Sequence, residues 1–117
     1  MSQIEVGKDF SRTPGGRYIS DGPDSGELFR DRLVVPALKR AIAQDEKLTI
    51  VLDGPRGYLS SFLEEAFGGL VRYGFFTHRQ LKDHLDVQAS DSFYQPYKIL
   101  VLRYISESKR ENVAAAS

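Results

Sequence analysis

The chain has no cysteine among its 117 residues. That excludes a disulfide framework, a thiolate zinc site and a cysteine nucleophile. The lack fits a reducing compartment, although many exported proteins also do without cysteine. A surplus of charge is missing too, because 16 Lys plus Arg balance 16 Asp plus Glu. A dedicated nucleic-acid binder carries a basic excess, and none is present. No apolar run approaches the roughly 20 residues needed to span a bilayer. The start, Met1-Ser2-Gln3-Ile4-Glu5, lacks the basic and apolar regions of a secretion signal. The expected location is cytoplasmic. Enzyme signatures are absent as well: there is no Gly-x-x-x-x-Gly-Lys-Ser/Thr loop, no nucleophile elbow and no Ser–His–Asp order. His78 and His84 are not at the i, i+4 spacing of a helical metal pair. The expectation is a protein that is not an enzyme and needs no cofactor or metal.

What is present is the composition of one globular domain, 41% hydrophobic and 27% charged. Residues 1–108 are expected to form that domain, with a disordered tail over 109–117. Ile4-Glu5-Val6 alternates like a short strand. Gly7 to Gly26 is polar and rich in turn signals, with Arg17-Tyr18-Ile19-Ser20 as a second short strand inside it. A helix follows, capped by Asp24 or Ser25. Pro36 should kink or break it. Lys47 to Asp53 is the best strand, apolar enough to be central and covered on both faces. The next helix carries Phe62, Leu63, Ala66, Phe67, Leu70 and Val71. It contains Gly68-Gly69, which often marks close approach of a neighbour, and stops at Gly74. Thr77 and Gln80 form a capping-box pattern. Leu85 to Ala89 reads as a strand. Ser92 to Ser108 reads as a helix, with Pro96 in its first turn. This order points to an α/β layer architecture.

The most informative stretch runs from Val51 to Phe67. A buried strand ends, a short loop turns, and Ser60-Ser61 sit where a helix begins. Free N–H groups and the helix dipole at that end favour an anion. A phosphate there would add about −1.5 to −2 charges to a neutral surface. Ser61 with Glu64 also matches the Ser-x-x-Glu capping box, which would leave Ser60 the freer hydroxyl.

Gly7-Lys8-Asp9-Phe10-Ser11, Pro14-Gly15-Gly16-Arg17-Tyr18, Asp21-Gly22-Pro23 and the run from Gly57 to Leu70 resemble a STAS-like family of uncharacterised function. More distantly, strand, loop, Ser-Ser and helix resemble the STAS domains of bacterial anti-sigma-factor antagonists. The resemblance implies a mixed sheet of about four strands with helices packed mainly on one face. It implies a signalling role, in which the first serine of an Asp-Ser-Ser-Gly motif is phosphorylated by a histidine-kinase-like ATPase partner. That serine falls on Ser60. Leu59 and Phe62 stand where the motif has its aspartate and glycine.

The expected function is a regulatory module that binds another protein through Tyr58, Ser60 and Ser61, with Ser60 and Ser61 as candidate phosphate acceptors. The alternative is a nucleotide or small-anion site built by Lys8, Arg12 and Arg17 in the Gly7–Gly26 loop, against which ordinary turn chemistry stands. Asp53, at the end of the central strand, is placed where α/β proteins put active residues, but its simplest role is to form the turn before Gly54-Pro55. An enzyme would need a polar cleft joining Asp53 or a histidine to Ser60. Phe93, Tyr94, Tyr97 and Tyr104 are more aromatics than one helix face needs, so a homodimer is a further expectation.

Overall fold

A computed structural model of the chain describes residues 2–111. Its centre is a three-stranded sheet of β1 (Ser2–Glu5), β2 (Leu48–Val51) and β3 (Leu85–Gln88), in that spatial order. Both pairings are parallel, with Ile4, Ile50 and Val87 in one row of the register. The sheet is therefore parallel and three-stranded among the described residues, not mixed with about four strands. Arg17–Ser20, read from sequence as a strand, contributes to the 3-10 turn Ile19–Asp21 instead. The reason is local: the Asp21 carboxylate accepts the N–H groups of Arg17 and Tyr18, at 3.2 and 2.8 Å, and curls the segment.

Among the described residues a π-helical turn, Val6–Phe10, follows β1, and four longer helices connect and cover the strands. The first, α1, runs over residues 26–43, with a wider π turn at Arg30–Val34. Ser25 caps it by accepting the Leu28 N–H at 3.1 Å. Pro36 does not break α1. The π turn lies just before it, where the Val35 N–H reaches back to the Arg30 carbonyl, and the wider turn makes room for the ring. The second, α2, covers residues 60–72, with a π turn at Glu64–Gly68. Gly74 ends this segment at φ +78°, a conformation that suits glycine. Next come α3 (His78–His84), with Thr77 and Gln80 forming the expected capping box, and α4 (Gln95–Glu107).

The strand order rises steadily, so right-handed crossovers place α1 and α2 on the same side of the sheet. Burial follows this rule. Ile4, Leu48, Ile50 and Val87 are buried on one side, beneath a core that contains Phe29, Phe62 and Phe67. The opposite side presents Gln3, Glu5, Asp86 and Gln88, all exposed or half-buried. The central strand lies under helices on one face, and on the other Thr49 is still buried, beside Gln3 and Asp86, with Val51 half-buried, so its own residues are covered on both faces, as its apolar run predicted. Residues 109–111 stay with the body, since the Glu111 N–H donates to the Arg72 carbonyl at 2.9 Å. The rest of the expected tail, 112–117, lies outside the described residues.

Candidate functional site

Parallel strands deliver their carboxyl ends to one edge of the sheet, and α/β folds place their sites there. Here that edge gathers the loop after β1, the loop 52–59 after β2, and the loop 89–94 after β3. The first two loops meet at glycines: a Cβ on Gly7 would lie 3.0 Å from the Gly54 backbone. Asp53 ties the other two together. Its two carboxylate oxygens accept the N–H groups of Ser90 and Asp91, at 2.8 and 2.9 Å. Tyr94 donates its hydroxyl to the Pro55 carbonyl. The result is a loop fixed at several points directly before Ser60.

Tyr58 supplies another of these fixings and is buried, not exposed as the sequence reading required. It is 8% exposed, packs against Phe62 and Tyr97, and donates its hydroxyl to the Leu52 carbonyl at 2.6 Å. Burial pushes its hydroxyl pKa well above the ordinary value, with smaller contributions from Tyr94, Asp53 and Tyr97. The sequence placed Tyr58 on the partner surface, and the structure encloses it among aromatic neighbours.

Ser60 and Ser61 open α2. The N-cap is Leu59, and its side chain makes no capping bond. The first N–H to be satisfied within the helix is that of Leu63, bonded to the Leu59 carbonyl. The Ser61–Glu64 capping box does not form, because Glu64 is held by Arg17 and Arg72. Ser61 is half-buried inside the first turn. Ser60 is exposed, and among the described residues its hydroxyl makes no hydrogen bond. Beside it Leu59 stands 58% exposed, against Gly15. Tyr18 and Ile19, also exposed, lie just past Arg17, which pins their loop to α2 one turn beyond Ser60. Sequence reasoning missed these three apolar residues. The available signal was large apolar side chains in turn-rich segments, where no periodic face would bury them.

Arg17 belongs to a cluster of five charged side chains. It contacts Glu64 at 2.5 Å and Glu65 at 3.2 Å, and Arg72 contacts the same two carboxylates at 2.6 and 3.3 Å. Arg30, 3% exposed, holds both the carboxylate and the carbonyl oxygen of Glu65. Burial pushes both glutamates up, but their arginine partners outweigh it and hold them below the ordinary carboxylate range. Gly68 and Gly69 make this possible: a Cβ there would meet Glu64 Oε2 at 2.6 Å and Arg30 Nη1 at 2.5 Å. The structure therefore commits Arg17 to carboxylates, which takes it out of the anion site expected from Lys8, Arg12 and Arg17. Lys8 and Arg12 are exposed.

The histidines lie away from Ser60. His84 Nδ1 is 2.8 Å from the Glu46 carbonyl, at the amino end of β2 and β3 and thus at the far end of the sheet. His78 Nε2 is 3.1 Å from the Ile105 carbonyl near the end of α4. The polar cleft that would join either of them to Ser60 is not formed by these contacts. No helix is long and apolar enough to cross a membrane among the described residues.

No curated protein and no solved structure matches the chain significantly. One family model does, over residues 25–92, more than half of the chain and inclusive of α1, β2, α2, α3 and β3. With its parallel α/β layer and the serine-led helix after the central strand, the chain belongs to the family described as a STAS-like domain of unknown function, DUF4325.

Proposed function

We propose that this STAS-like domain is a regulatory module that binds another protein through the surface at the start of α2. The exposed Ser60 is its phosphate-accepting switch, and a histidine-kinase-like ATPase is the partner. One observation carries the reading. Ser60 presents a hydroxyl with no hydrogen bond among the described residues at the amino end of α2, next to the exposed Leu59 and directly after a loop anchored by Asp53, Tyr58 and Tyr94. A rigid polar group beside an apolar side chain is the composition of a contact surface. A phosphate on Ser60 would face the three first-turn N–H groups and the positive end of the helix dipole. Phe62, which replaces the motif's glycine, serves the core and takes no part in the surface.

Binding fits this region better than catalysis. Both oxygens of Asp53 are occupied by backbone N–H groups, and the histidines are remote. The test uses cell extract of the source organism with ATP. Wild type and Ser61→Ala should gain a phosphate by intact mass, and Ser60→Ala should not. The partner captured by wild type should be lost on Ser60→Asp and weakened by Leu59→Ala. Capture indifferent to Ser60→Asp and Leu59→Ala, with no phosphate gained, would sink the proposal.

A further inference from the structure

Among the described residues, the side of β1 turned away from β2 has no neighbour in the sheet. Among the described residues no hydrogen bond leaves Ser2, Gln3 or Ile4 in that direction, while the Glu5 N–H is taken by Asp9 at 2.8 Å. An open edge of this kind is a template for another strand, and proteins commonly guard it with proline, lysine or a bulge. Ser2–Glu5 contains none of these.

A groove of about 420 Å³ runs beside this edge, between β1 and α1. Ile4, Leu33, Pro36 and Ala37 make its apolar floor, and Arg32 and Arg40 stand on its rim. Both arginines are exposed, and neither makes an ion pair among the described residues, in contrast to the committed Arg17, Arg30 and Arg72. Arg32 and Leu33 belong to the π turn Arg30–Val34, a distortion frequently found at functional positions of helices. The groove is thus apolar in the middle with an arginine towards each end, and at the Arg32 end the carboxylates of Asp9 and Asp24 line the adjoining cavity without pairing with it.

We propose that this groove docks an extended acidic segment of a partner protein, which adds to the sheet as a fourth strand beside β1. The spacing defines the segment. From Arg32 to Arg40 a helix rises about 12 Å, at about 1.5 Å per residue. A strand covers that distance in about four residues, at about 3.3 Å each, with every second side chain on the same face. The side chains that face α1 therefore read acidic, apolar, acidic at alternate positions, which gives Asp/Glu-x-apolar-x-Asp/Glu. Main-chain bonds to β1 supply affinity, and the two arginines supply selectivity. This surface is separate from Ser60, which follows the carboxyl end of β2 and starts a different helix.

The test is a display library of random octapeptides selected against the full chain. The retained pool should be enriched in the acidic-x-apolar-x-acidic pattern. Its synthetic consensus should bind more weakly as salt rises and should slow amide exchange at Ser2–Glu5. Arg32→Glu with Arg40→Glu should weaken binding by about tenfold or more, with an unchanged far-UV circular dichroism spectrum. Ser60→Asp should leave the affinity unaltered, so failure of the phosphorylation switch and failure of this site are separately visible. A pool without carboxylates, full binding by the double arginine variant, or protection elsewhere would overturn the proposal. A dimer in sedimentation with protected β1 amides would overturn it as well, because a second copy would then occupy the edge.

Discussion

The side chain of Glu65 is 1% exposed and carries a charge. Burial favours its neutral form, but Arg30, Tyr73 and Arg17 outweigh burial and lower its pKa. The unfolded chain therefore binds protons at higher pH than the folded one. This stabilisation is complete above the ordinary glutamate value of about 4.3 and is lost as pH falls through the lowered folded value. Thermal melts should hold steady down to about pH 4.3 and then decline. Glu65→Gln should cost about 3 kcal/mol near neutral pH, because it removes the buried negative charge that Arg30 faces and leaves Asp31 as its only carboxylate partner among the described residues. It should also flatten the acid decline. Tyr58→Phe should cost about 1 to 2 kcal/mol in a urea titration, by leaving the Leu52 carbonyl unpaired. At this scale the sequence was only partly legible. Ser60 was read as the free hydroxyl and is exposed. The arginine cluster went unread because its members lie on separate segments: Arg30 and Glu65 are 35 positions apart, and Arg17 and Glu64 are 47 apart. No local pattern brings such residues together. The burial of Tyr58 went unread for the converse reason, since a loop position says nothing of the aromatic neighbours that fold over it.

Helices were the most legible elements, because their signals are local. Ser25 caps α1, Thr77 and Gln80 box α3, and Gly74 terminates the segment after α2, each as the residue types imply. Thr77→Ala should therefore lower stability by about 1 kcal/mol, read by thermal or chemical unfolding. The crossing of α1 and α2 was not legible. It depends on Gly26, where an added Cβ would run into the Phe62 carbonyl and lie 3.2 Å from the Ala66 nitrogen. Gly26→Ala should cost about 2 to 3 kcal/mol, as overpacking does, with the urea m-value unchanged. From sequence Gly26 looked like the end of a turn-rich loop, and Gly68-Gly69 drew attention instead. The latter pair does allow close approach, but of charged side chains and not of a neighbouring backbone. The π turns in α1 and α2 leave no mark on apolar periodicity, so the kink or break expected at Pro36 takes the form of a π turn just before it, in a helix that continues.

The layer order of the whole molecule was legible from alternating strand and helix patterns, and the resemblance placed helices on one face. The strand count was not, because a turn stabilised by Asp21 can carry the same residue alternation as a strand. Every pairing in this sheet is distant along the chain: Ser2 meets Leu48, and Leu48 meets Leu85. Loop closure must precede any reward from such contacts, which slows folding. Refolding monitored by stopped flow should therefore fall in the millisecond-to-second range, not the microsecond range of helical bundles. The parallel register also fixes an order of events during synthesis. The ribosome delivers β1 first, yet no partner for it exists until Leu48 and the residues after it have been made. The growing chain thus carries its first strand unpaired, and the sheet begins to form only when its middle strand emerges.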